Sequence, residues 1–322
     1  MNFYTPLYRH VLLLYMVCFT TVAWAQREVH FSQYMFQGIL INPAYAGIQH
    51  QIEGAVAYKS QWNGLKSTPT ITAFNIHGPV MHRSAGIGLQ VNRETFGKSS
   101  QNSFLGCFSY KVRLHKGTLA LGMEAGLRQY NLHTSDLVID DLNDPNLSQP
   151  QAENIVDLGL GMYYQTEKSH IGITAKKING NAFSSANNFT INPNRYYSLL
   201  AGKKIKLGFQ HHLLLTCFLN YSANIPALYE FSAIYQAKNG IWMGTGYRSS
   251  QELEMLLGLN LKKLIAAFSE DLSIGYAYDY GLTALQQMNY GSHEIMVNYK
   301  FAMRRTVDQI LNDKKAVHPI FF

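Results

Sequence analysis

At 322 residues the chain is long enough for one large all-β domain or two ordinary ones. Its formal net charge is +7, from 27 Lys and Arg against 20 Asp and Glu. No segment of the sequence shows the clustered Lys/Arg face of a nucleic-acid binder, so nucleic acid is not expected as a partner. Three cysteines are too few for a disulfide scaffold.

The first 25 residues have the three parts of a secretory leader: basic Arg9 and His10, an apolar run over 11–22, and the small-residue site Ala23-Trp24-Ala25. They predict a signal peptide at 1–25, cleaved so that the mature chain begins at Gln26. A membrane anchor fits less well, because the run is short for a bilayer and Gln26-Arg27-Glu28 follows it without a stop-transfer pattern. Tyr15, Met16 and Val17 are too bulky for a lipid-attachment signal at Cys18, which therefore leaves with the leader. Beyond the leader no stretch of 18 or more apolar residues occurs, so no transmembrane helix is expected.

Residues 26–50 form a separate segment. Its Phe31, Tyr34, Met35, Phe36 and Tyr45 do not alternate with polar residues, and Asn42-Pro43 breaks any strand ladder. It is expected to pack as a plug or to dock a partner. A lid that merely seals the fold is an equal alternative, since aromatic clusters more often pack than recognise.

From 51 to 301 the dominant signal is period two. Leu272, Ile274, Tyr276, Tyr278 and Tyr280 alternate with Ser273, Gly275, Ala277 and Asp279. Leu119, Leu121, Met123, Ala125 and Leu127 alternate with Ala120, Gly122, Glu124, Gly126 and Arg128. One face is apolar and the other is small or charged, as in a transmembrane antiparallel β-barrel with lipid outside and a polar lumen. Leu158 to Gln165, Leu253 to Asn260 and Ala85 to Asn92 repeat the pattern. About fourteen strands are expected, centred near residues 56, 74, 88, 106, 124, 161, 173, 199, 216, 232, 244, 257, 276 and 297. Those near 74, 199 and 216 alternate poorly. The aromatic excess, with 21 Tyr and 17 Phe, fits interfacial girdles. Cys107 and Cys217 are expected as free thiols facing the membrane. The last strand carries Ile295, Val297, Tyr299 and Phe301 on its lipid face, and a polar tail, 302–322, is expected on the periplasmic side.

Long polar loops are expected over 132–154 and 178–195. Asp140, Asp141, Asn143, Asp144 and Asn146 suggest calcium only weakly, lacking the turn glycine and terminal Glu of a calcium loop. No cofactor or metal is expected. Gly159-Leu160-Gly161 and Gly244-Thr245-Gly246 lie inside strand patterns and are not phosphate loops. No nucleophile elbow and no zinc-metalloprotease or Cys/His zinc spacing occurs. The adjacent His211 and His212 face opposite sides of a strand and cannot chelate together. His170 and His293 sit near strand starts, where an interfacial polar residue is ordinary. No catalytic residue is nominated.

The runs Phe31-Ser32-Gln33-Tyr34-Met35-Phe36 and Ile39-Leu40-Ile41-Asn42-Pro43-Ala44-Tyr45-Ala46-Gly47 resemble the N-terminal signature of the PorP/SprF family, outer-membrane proteins of the Bacteroidota type IX secretion and gliding systems. Gln37-Gly38 stands where that family usually has Asn-Pro. The likeness continues through Tyr58-Lys59-Ser60-Gln61-Trp62, His77-Gly78-Pro79 and Gly86-Ile87-Gly88-Leu89. It implies a non-enzymatic barrel in the cell outer membrane. The implied partners are the type IX translocon or motor, and a C-terminally tagged secreted protein or adhesin. A passive porin or hydrophobic-ligand channel is the alternative, and a barrel enzyme is third. The residues expected to bind a partner or plug the barrel are Phe31, Tyr34, Met35, Phe36, Asn42, Pro43, Tyr45 and Gly47.

Overall fold

The structure, a computed structural model, describes residues 30–49, 51–80, 84–132, 151–180, 183–184, 190–191, 194–223, 225–265 and 271–301. The expected signal peptide, the 302–322 tail and the Asp140 to Asn146 cluster lie outside them.

Strands β1 (Ile52–Ser60), β2 (Thr70–Val80), β3 (Ala85–Phe96), β4 (Ser99–Leu114), β5 (Gly117–Leu132), β6 (Gln151–Gln165) and β7 (Ser169–Lys176) form the first half of a barrel. After the short pair β8 (Phe183–Ser184) and β9 (Thr190–Ile191), the barrel resumes with β10 (Tyr196–Lys206), β11 (His212–Ser222), β12 (Ile225–Gln236), β13 (Ile241–Arg248), β14 (Glu252–Asn260), β15 (Asp271–Gly281) and β16 (Ser292–Phe301). The barrel is closed, with β1 antiparallel to both β2 and β16. Closure leaves no row of unpaired strand amides, which hydrocarbon would penalise at several kcal/mol each.

All fourteen expected strand centres fall within barrel strands, including the poorly alternating three. The polar loop expected over 132–154 is shortened at both ends, since β5 runs through Leu132 and β6 starts at Gln151.

Burial is inverted relative to a soluble protein. Phe104, Leu121, Leu127, Leu160, Met255 and Ile295 are exposed on the outer face, whereas Lys59, Glu124, Glu230, Glu254, Asp279 and Glu294 are buried on the inner one. An apolar belt around a polar interior is stable when the outer solvent is lipid. Among the described residues no helix is long and apolar enough to cross a membrane.

Two expectations need correction. Cys107 faces the lumen, where Gln90 Nε2 donates to its sulfur at 3.0 Å; only Cys217, between the inward Thr216 and Phe218, faces outward. Alternation agrees with this, since Phe104, Phe108 and Tyr110 take the outer face; the apolar character of the thiol had pointed to lipid instead. His170 is buried and stacked on Tyr163 at 5.6 Å rather than interfacial.

The barrel has two unlike ends. The strand ends that flank the longest connections, Leu132 and Gln151, Lys176 and Tyr196, lie at one end. The other end holds the starts of β1 and β3 and the end of β16, and is closed mainly by tight turns.

Candidate functional site: a segment inside the barrel

Residues 30–49 fill the lumen. A 3-10 turn (Tyr34–Phe36), a single helical turn α1 (Gly38–Ile41) and a second 3-10 turn (Pro43–Tyr45) replace a strand. Pro43 starts its turn, where no backbone donor is needed, and Asn42 caps that turn by accepting from Ala44 N at 2.9 Å. The residues that rule out a strand therefore dictate this compact path.

The hydrophobic core of the protein is this segment against the wall. Tyr34, Ile39, Ala44 and Tyr45 pack with Ala120, Tyr163, Leu200 and Phe218. Phe31 packs on Ala57, Ile71 and Met296, while Met35 and Phe36 cover Leu214, Ile234 and Trp242. Each large side chain taken from a watery lumen into such contact contributes about 1.5–3 kcal/mol. Burial and the neighbouring Glu230 push the Tyr34 phenol pKa up, so it stays protonated and shares a 2.9 Å hydrogen bond with Thr216 Oγ1. Burial likewise raises Tyr45.

The first four residues, 30–33, are held by charge. Ser32 N and Gln33 N donate to Glu294 at 2.6 and 3.0 Å, and Ser32 Oγ donates to Asp279 at 2.8 Å. Lys59 Nζ donates to His30 O at 2.7 Å and lies 2.7 Å from Asp279. Arg248 reaches Ser32 Oγ at 3.0 Å and also Glu230 at 2.8 Å, Glu252 at 2.9 Å and Glu254 at 2.5 Å. Burial, then the charges of Arg248 and Lys59, hold the partly exposed His30 well below its ordinary pKa, so its imidazole is neutral.

The last residues, 42–47, are held by shape. Asn42 Nδ2 donates to Met162 O at 3.0 Å and Ile173 O at 3.1 Å, an approach possible because Gly161 and Gly172 present no side chain. A Cβ at Gly122 would overlap the backbone of Ala44, and one at Gly86 the carbonyl of Ala46. Gly47 turns at φ +61°, donating to His77 Nδ1 at 3.3 Å and accepting from Lys111 Nζ. Between the two ends, Gln90 Nε2 donates to Ile39 O and Lys176 Nζ to Leu40 O. Gln37, in the position departing from the family signature, accepts from Asn75 Nδ2 at 3.1 Å.

Phe31, Tyr34, Asn42, Pro43, Tyr45 and Gly47 are thus buried in the lumen with Met35 and Phe36 half-buried beside them. Alternation puts Glu254 and Asp279 on the inner face without giving them a role, and nothing in the sequence singles out Lys59, Arg248 or Glu294 as site residues. An acid or base opposite a lipid-facing residue was their only signal. Above the segment, toward the long connections, a cavity of about 160 Å³ is lined by Phe31, Tyr34, Gln90, Arg128, Tyr196 and Phe218 among others. Among the described residues no group of three or more His, Cys, Asp or Glu is placed to hold a metal ion.

The profile of the type IX secretion system membrane protein PorP/SprF family matches residues 23–299, nearly the whole of this arrangement. The chain belongs to the PorP/SprF family. Comparison with curated proteins gave no match. Among solved structures, the barrel resembles the CymD monoaromatic hydrocarbon channel with a TM-score of 0.52 at 13% identity, over 84% of this chain and 93% of that one. It also resembles a FadL homologue of Pseudomonas aeruginosa, with a TM-score of 0.45 at 10% identity over 78% and 90% of the two chains. At such identities the CymD likeness shows a shared fold alone. Family and fold are those of a secretion membrane protein rather than of an enzyme.

Proposed function

We propose that this PorP/SprF protein is a non-enzymatic barrel of the outer membrane that assists type IX secretion. It binds the translocon or motor, a C-terminally tagged secreted protein or adhesin, or both, and serves delivery to the cell surface. Residues 1–25 are its cleaved leader, 26–50 its plug, 51–301 its barrel and 302–322 a periplasmic tail. The long-connection end faces outward, as in other bacterial barrels.

The observation that carries this reading is the family membership joined to a lumen already filled by its own chain. A conduit needs a path, whereas here the would-be path holds a segment hydrogen-bonded to the wall at both its ends. Closing the lumen suits a protein whose work is done by its surfaces. Phe31, Tyr34, Met35, Phe36, Asn42, Pro43, Tyr45 and Gly47 act as plug residues in this reading.

Purification of the tagged protein in mild detergent from its native host, followed by mass spectrometry, tests it. Secretion or motor components, or a large secreted protein, are expected to accompany it. A solitary barrel that conducts in planar bilayers would instead establish the alternative, a porin or hydrophobic-ligand channel, for which the cavity above the plug is the supporting feature.

A further inference from the structure

At the tight-turn end, lysines from separate strands gather near one another. Lys203, Lys204 and Lys206 end β10, Lys262 and Lys263 lie in the short helix α2 (Leu261–Leu264), and Lys300 nearly ends β16. Lys204 and Lys300 are inward-facing, the latter between the lipid-side Tyr299 and Phe301. Lys263 stands within electrostatic reach of both Lys204 and Lys300, although β11 to β15 separate β10 from β16. His212, paired with Lys206 across the ladder, feels Lys204, Lys206 and Lys263 as well.

The fold builds this convergence. Gly240, at φ +88°, leaves room for the Lys263 Cβ, where a side chain of its own would collide. Asn260 caps α2 by accepting from Lys263 N at 3.1 Å while donating to Asp271 at 2.7 Å. The acids that the described residues bring to this end are Asp271, beside Lys263, Glu53, 2.9 Å from Lys300, and the exposed Glu167 in the turn between β6 and β7. Lys206 and Lys263 remain exposed, as do the apolar Phe209 (78%), Leu207 (54%) and Ile265 (46%) around them. Like charges gathered across an opening raise the local concentration of anions, and exposed aromatic and aliphatic residues at its rim favour a polypeptide.

We propose that the tight-turn mouth of the barrel is a binding site for an acidic polypeptide segment, held by Lys206, Lys263 and His212 with Lys204 and Lys300 behind them. A lipid headgroup fits less well, because the convergent bases face the lumen opening rather than the hydrocarbon. A cavity of only about 30 Å³ lies between the mouth and Met35 and Phe36, so a bound segment stops at the mouth. The site is separate from the plug contacts and does not depend on the identity of any secretion partner.

Fluorescence anisotropy with the full-length purified protein in detergent tests it, with a fluorescein-labelled decaglutamate peptide as probe and decaglutamine as control. Decaglutamate is expected to bind, and roughly tenfold more weakly when salt rises from low to about 0.5 M, since exposed charges are screened. The exposed pair Lys206→Gln and Lys263→Gln should weaken binding about tenfold, while Lys66→Gln with Lys98→Gln, at the other end, should leave it unchanged. If the double variant loses the heat-modifiable folded band, Lys206→Gln alone is read in its place. Equal binding by parent and variant, or binding of decaglutamine as tightly as decaglutamate, would overturn the proposal. So would loss of co-purifying phosphatidylglycerol, rather than of peptide, in the variant.

Discussion

The two ends of the plug are fastened by different physics. At 30–33 the backbone is held by buried carboxylates and by the charged ends of Lys59 and Arg248. At 42–47 the backbone lies directly on glycines, so the fit depends mainly on volume, with hydrogen bonds from Asn42, Ser109 and Lys111 closing it. The first fastening fails when one of its buried charges is removed or a competing ligand takes its place, since an unpaired buried charge is costly. The second yields only if the chain or the wall changes shape. A plug built this way has one end suited to release and one that keeps it tethered next to β1.

Arg248→Ala should produce the largest effect. It leaves Glu230 and Glu254 buried without their guanidinium, a loss of about 3–5 kcal/mol for breaking a buried pair. Hydrogen exchange should accelerate at the Ser32 and Gln33 amides while Ala44 to Gly47 change little; uniform acceleration would mean that the two ends are one cooperative unit.

Gly122→Val attacks the other end. Its side chain would drive into the Ala44 backbone, and overpacking of this kind costs roughly 1–3 kcal/mol or more. The expected outcome is a displaced plug and new conductance in planar bilayers. Gly106→Ala, whose Cβ would meet nothing nearer than Ala125 O at 3.7 Å, should behave as the parent. If both variants stay closed, the glycine bed is not what seats the segment.

Asn42→Ala should act at the same end with a smaller effect. Two strand carbonyls lose a donor and the Pro43 turn loses its cap, together about 1–3 kcal/mol. Limited proteolysis of folded protein should then cut between 42 and 47 sooner than between 30 and 33; the reverse order would contradict the assigned roles.

The smallest effect is on pH. His30 is neutral when docked, with a depressed pKa, and on release its imidazole regains an ordinary value near 6.5. The released state therefore binds more protons as pH falls, so the contribution of His30 to docking is full above about 6.5 and is lost through acid conditions below it. Exchange at Ser32 should be faster at pH 5.5 than at 7.5, and His30→Asn should flatten that difference. An unchanged slope in the variant would assign the dependence to other groups.

The barrel was legible in the sequence because lipid imposes a local rule. Every second residue must be apolar wherever a strand crosses hydrocarbon, so Leu121, Met123 and Leu127, or Ile295, Val297 and Phe301, announce their face without reference to any other strand. Even the weakly patterned β10 and β11 fell where a closed sheet needed them. The segment's inability to form a strand was equally local, since it rests on Asn42-Pro43 and on broken alternation.

What occupies the lumen, and what holds it there, was decided only by tertiary structure. Lys59, Arg248, Asp279 and Glu294 come from four different strands, and no period relates their positions to Ser32. In the sequence the inward glycines are only small members of the polar face; the folded chain shows Gly86, Gly122 and Gly161 lying beneath Ala46, Ala44 and Asn42. Alternation tells each residue which side it faces, but a closed barrel decides what it meets across the lumen.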